Sequence, residues 1–154
     1  MNGLTIARAI HIVSIVIWIG GVSFVTLVML PAIKSQYGFA QQESIFHLIE
    51  NRFAKIAKWM VLIAGMSGFY MVDQLSAWGR FTQMQFFWMH AMVLVWLIFT
   101  LALFIVEPIL EKRHPKHSQN PKRTLQVTLQ LHIILLMVSL VTVFISVLGA
   151  HGML

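Results

Sequence analysis

Two histidines sit at matching depths in runs otherwise free of charge, and imidazole in that setting is a candidate metal ligand. His11 lies just inside the run Ala9 to Ile33, 25 residues with no formal charge at neutral pH. His90 lies equally early in the run Met84 to Val106. With a rise of about 1.5 Å per residue, each falls roughly 5–10 Å below the same membrane surface if the runs are helices. Helices one and three of a simple four-helix bundle are diagonal, so two inward imidazoles at one depth could clamp a flat macrocycle. Imidazole is a suitable axial ligand for haem iron, and no carboxylate shares this layer. The pair therefore predicts a bis-histidine haem b site, with a polar helix–helix contact and copper as the competing readings.

Copper has its own basis. Met66, Met71, Met84, Met89 and Met92 crowd the outer halves of the second and third runs around His90, and thioether plus imidazole favours Cu(I). Methionine is also a common filler of apolar cores. The remaining histidines are less suited. His132 is near the opposite rim, too far from His11 to share an iron, and its expected partners are Glu107, Lys58 or a quinone-like ligand. His151 ends the last run and is a spare ligand for the outer site. His47, His114 and His117 belong to polar segments.

The same geometry nominates supporting residues. Gly65 and Gly68 on the second run, with Ser146 on the fourth, are small at the histidine depth and would leave volume for a porphyrin. In an unliganded bundle they would instead let helices close. Arg8, one turn before His11, would meet haem propionates or simply anchor the helix at the interface.

The elements carrying these residues are four membrane spans, expected at about 9–33, 52–73, 84–106 and 124–150. A hydrocarbon core roughly 30 Å thick needs about 20 apolar residues in helix. The second span is the weakest, since only Trp59 to Val72 is charge-free, and Arg52, Lys55 and Lys58 would have to snorkel. On a helical wheel His11, Ser14, Ile15, Trp18, Val22, Val25 and Met29 share one face of the first span, with Pro31 near its end. His132, Ser139, Thr142 and Ser146 form a stripe on the fourth that is expected to face inward.

Composition agrees with a membrane setting. The 154 residues are 58% apolar and 10% charged, against about 25% charged in soluble proteins. There is no cysteine, which excludes disulfides, thiolate zinc and iron–sulfur clusters. The net charge of +6 does not indicate nucleic acid, because nine of the eleven Lys and Arg residues lie in 34–58 and 107–123, beside span ends. The positive-inside rule makes that side cytoplasmic. The expectation is an all-α, integral membrane, up-down-up-down bundle in a bacterial inner membrane with both termini extracytoplasmic (periplasmic). No cleaved leader is expected, because the first apolar run is too long for a signal core. Membrane lipid surrounds it, quinone or a periplasmic protein is the candidate redox partner, and its apolar outer faces suit a homodimer.

The stretch Ala7 to Phe24 resembles the opening helix of small membrane proteins related to the copper-resistance D domain and to the HemJ type of protoporphyrinogen oxidase. His11, Trp18, Gly20, Gly21 and more loosely Pro31 carry the resemblance, over about a fifth of the chain. It implies haem b and porphyrinogen oxidation in one group and copper uptake or tolerance in the other. The HemJ-like group carries a lysine in a later helix; span three here has His90 and no lysine.

Overall fold

The computed structural model describes residues 3–36, 38–109 and 121–153. Four long helices account for most of them. We label as α1 the first, built from Gly3–Phe24, a π turn over Val25–Met29 and the continuation Leu30–Gln36. The second, α2, is Phe39–Gln74. After two short 3₁₀ turns, Ala77–Thr82 and Met84–Phe86, α3 runs Phe87–Leu101 and through a second π turn, Ala102–Val106. The last, α4, is Pro121–Ala150. Four stretches are long and apolar enough to cross a membrane: Gly3–Ser35, Ser44–Gln74, Met84–Ile109 and Gln126–Ala150. The chain is thus an all-α, multi-pass membrane protein. The first two spans begin earlier than the charge pattern suggested, since helix geometry tolerates Arg8, Arg52 and Lys55 at exposed positions.

Both π turns have the same cause. Leu30 N–H bonds Val25 O, and Pro31 follows; Glu107 N–H bonds Ala102 O, and Pro108 follows. A proline ring inside a helix collides with the carbonyl four residues back and supplies no N–H. Widening the preceding turn by one residue lets the helix continue instead of breaking. The bend expected at Pro31 is therefore a wide turn, with helix on either side.

The core lies where α1 packs along α2. Trp18, Ile19 and Val22 meet Ala57, Val61 and Ala64, with Val95 and Phe99 of α3 and Leu136 of α4 closing over them. Trp18 and Phe99 touch edge to face with centroids 4.8 Å apart. A second cluster, Val25, Met29, Leu30, Ile33 and Phe46, joins the second half of α1 to the early part of α2. The wheel face read from the sequence of α1 is the buried one: Ser14, Trp18, Val22, Val25 and Met29 are all buried. In α4, Ser139, Thr142 and Ser146 are buried too, so that stripe faces inward.

Glycine permits the closest approaches. At Gly65 a Cβ would come within 2.7 Å of the Trp96 indole, and at Gly21 it would collide with the Phe53 ring. Trp96 Nε1–H thereby reaches Val61 O at 2.9 Å, one turn before Gly65.

One ion pair ties α2 to α3 among the described residues: Lys58 Nζ lies 3.0 Å from a Glu107 carboxylate oxygen, both half-buried. Lys58 therefore pairs rather than snorkels. Removing Lys58 alone strands a half-buried carboxylate, a cost between the about 1 kcal/mol of an exposed pair and the 3–5 kcal/mol of a buried one. We expect Lys58→Met to lower the unfolding midpoint in detergent titration, and Lys58→Met with Glu107→Gln to recover most of it.

Candidate functional site

His11 sits on the seam between α1 and α2. Its Nδ1–H donates to Ala64 O at 2.8 Å, with Ser67 Oγ 3.2 Å from the same nitrogen. A carbonyl can only accept, so the proton is on Nδ1 and the neutral ring carries its lone pair on Nε2. Gly68 makes room: a Cβ there would stand 3.2 Å from His11 Cε1. Ser67 Oγ itself donates to Ile63 O at 2.6 Å, and Ser14 Oγ donates to His11 O at 2.8 Å. An imidazole with one nitrogen tied to a backbone carbonyl and the other available is the usual arrangement of a metal-ligating histidine. The sequence could not show which carbonyl would do this, because the acceptor is 53 residues away.

His90 does not complete the expected pair. Its ring is exposed, and its Nε2–H donates to Phe81 O at 2.8 Å, packing edge-on to the Phe81 ring. The buried side chains of α3 are Trp88, Met89, Val95 and Phe99. His90 is two residues from Trp88, roughly 200° round the helix, and so turns away from the face carrying Trp88, Val95 and Phe99. Equal depth fixes a height along the helix and leaves the direction around its axis open.

The space expected beside the small residues is filled. Trp96 lies against Gly65, Trp88 against Gly149, and His11 itself against Gly68. Ser146 is buried on α4, and its hydroxyl has no partner among the described residues. A shallow apolar groove of about 320 Å³ runs along the α1–α2 seam near His11, lined by Ala9, Ile10, Val13, Ser14, Ile17, Met60 and Ile63. His11 is thus a single candidate ligand in this conformation, and the space beside it that a porphyrin would need is occupied by side chains. A haem does not fit as a disc clamped between His11 and His90.

The other candidates lie apart from this seam. Arg8 is exposed and makes no ion pair among the described residues. His132 is half-buried, donates Nδ1–H to Thr128 O at 2.9 Å and packs edge-on to Phe46. It does not take Glu107 or Lys58, which bond each other. His151 is exposed and donates to Val147 O at 2.8 Å. The methionines diverge, with Met66 and Met84 exposed and Met89 buried. The side chain of His47 and the residues His114 and His117 lie outside the described residues. Among the described residues no group of three or more His, Asp or Glu side chains gathers in a metal-binding cluster.

Sequence reasoning missed an aromatic collar at one end of the bundle. Phe69 stacks on Trp78 at 6.2 Å, Trp78 leans on Phe81, and Arg80 lies 5.1 Å from the centre of the Phe86 ring. Aromatic belts of this kind mark the membrane–water interface, and the density of Phe and Trp between 69 and 88 was the available signal. No protein-family profile, characterised protein or solved structure matches the chain.

Proposed function

We propose that this chain is a small membrane redox protein whose metal-binding imidazole is His11, with haem b as its cofactor. The supporting observation is the bond from His11 Nδ1–H to Ala64 O, which orients the ring and leaves the lone pair on Nε2. The resemblance of the first span to haem- and copper-associated membrane proteins points the same way. When bound, haem would supply one-electron cycling between Fe(II) and Fe(III). The chain's own part is to hold the imidazole through Ala64 and Ser67 and to seat it against Gly68. His90, exposed and held by the Phe81 carbonyl, has no part in this proposal. Copper at His11 is the second reading, favoured by soft Met60 lining the adjoining groove.

The spectrum of the protein purified from cells decides between these. A band that sharpens on dithionite reduction, with about one iron per chain, is the expected result. A colourless protein with stoichiometric copper selects the second reading. A protein with neither metal leaves His11 as a helix–helix contact and removes the redox assignment.

The proposed setting is a bacterial inner membrane, with helices alternating in direction and the basic segments 34–58 and 107–123 cytoplasmic. Because the chain has no cysteine, a single introduced one is a unique label. Thr82→Cys should react with a membrane-impermeant maleimide in intact spheroplasts, and Ser35→Cys only after lysis. The reverse pattern would invert the topology.

A further inference from the structure

Helix α2 carries three basic residues where it enters the membrane, and their charges are met differently. Lys58 turns towards α3 and pairs with Glu107 at 3.0 Å. Arg52 and Lys55 are exposed, and among the described residues neither has a carboxylate partner. Glu50, the nearest acidic residue along the chain, lies roughly 200° round the helix from Arg52. Trp59, one turn beyond Lys55, is 67% exposed, and its indole N–H has no partner among the described residues.

These three share one face. At about 100° per residue Arg52, Lys55 and Trp59 fall within about 60° of one another, with exposed Leu48, Ile56 and Met66 on the same side. Ala57, Val61 and Ala64, which pack in the core, are on the opposite side. The face therefore looks onto lipid. Its depth creates a demand. The charge-free part of α2, Trp59 to Val72, is only about 21 Å long at 1.5 Å per residue, against a hydrocarbon core of roughly 30 Å. Either the headgroup layer comes down to Lys55 on this face, or both cations reach up to it. A charge at the edge of the hydrocarbon needs a counter-charge. Lys58 finds one in the protein; on the lipid side the anion at hand is a phosphodiester.

We propose that the Arg52–Lys55–Trp59 face binds the headgroup of an anionic phospholipid, of the phosphatidylglycerol class. The guanidinium and the ammonium bond the phosphate oxygens, and the deeper indole N–H meets an ester carbonyl at the level where tryptophan settles in membranes. Charge selects the class. Two cations facing one phosphodiester keep a net positive charge, and a zwitterionic headgroup would add its own ammonium to it. The assignment does not rest on the redox reading.

The test uses the full chain in phosphatidylcholine nanodiscs containing a minor, fixed fraction of phosphatidylglycerol, with bromine on the upper acyl chain of one lipid or the other. Bromine quenches indole fluorescence on contact. Brominated phosphatidylglycerol should quench more than brominated phosphatidylcholine at the same fraction, and Trp59→Phe should abolish the excess. Arg52→Gln and Lys55→Gln should each lower the preference about 5-fold, whereas Arg52→Lys, which keeps the charge, should retain most of it. The substituted positions are exposed, so these variants leave the core intact. Equal quenching by the two lipids in the wild type would overturn the proposal, as would an excess that survives Arg52→Gln combined with Lys55→Gln. Inorganic phosphate should not compete; a preference that it abolishes would mark a small-anion site and overturn the lipid assignment.

Discussion

His11→Ala should bleach the protein, whereas His90→Ala should leave its pigment within about 2-fold of wild type. The contrast comes from where the rings point. Outer-sphere partners of metal-bound histidines are worth roughly 10–100-fold in affinity, so loss of the ligand itself should exceed that range. Ser67→Ala should cost less, because Ala64 O still holds Nδ1 in place. His90 lies on the exposed side of α3 with its Nε2–H on Phe81 O. Its removal should loosen the connection between α2 and α3 and leave the proposed haem site at His11 unchanged. Iron content and reduced-minus-oxidised spectra measure both variants, and added imidazole should restore colour to His11→Ala if the fold has survived. Full pigment in His11→Ala would remove the assignment. Equal bleaching in both variants would mean that His90 turns inward when the cofactor binds, restoring the pairing its depth suggested.

The second large effect is structural. Gly65→Ala places a methyl 2.7 Å from the Trp96 indole, with three ring atoms at that distance. The ring cannot yield locally, because Nε1–H is bonded to Val61 O and Phe69 packs edge-on to its face at 5.6 Å. Overpacking of this kind costs about 1–3 kcal/mol, and losing the indole bond adds about 1 kcal/mol. Gly65→Ala should therefore destabilise by about 2–4 kcal/mol in reversible denaturation in mixed micelles. Trp96→Leu removes the collision, so the double variant should be more stable than the sum of the two single effects implies. Strict additivity would show that the two residues do not press on each other.

Much of the fold is legible in the residues themselves. The four spans come from the length and apolarity of their runs, and the buried face of α1 from a helical wheel that places Ser14, Trp18, Val22, Val25 and Met29 together. The stripe Ser139, Thr142 and Ser146 on α4 is equally plain. The direction of His90 is legible in principle, because Trp88, Val95 and Phe99 define a bulky face from which residue 90 is nearly opposite. Matching depth does not imply matching direction, since the two are independent coordinates on a helix. The filling of Gly65 and Gly149 is less accessible. Small residues announce that something approaches closely, while the identity of the visitor depends on the relative heights of two helices. The partner of Lys58 is hidden likewise, since Glu107 lies 49 positions further along the chain.

The prolines at 31 and 108 leave a mechanical signature. Each wide turn inserts one residue that ordinary helical winding would not accommodate, advancing the sequence by about 100° relative to the axis. Everything beyond Pro31 on α1, and the end of α3 from Glu107 onward, is thus clocked differently from the preceding halves of the same rods. If either wide turn rewound to normal pitch, the far half would have to rotate by about that angle, carrying Ile33 away from Phe46 or Glu107 away from Lys58. The bundle therefore contains two built-in swivels, one on each odd-numbered rod, latched by a greasy contact in one case and an ion pair in the other.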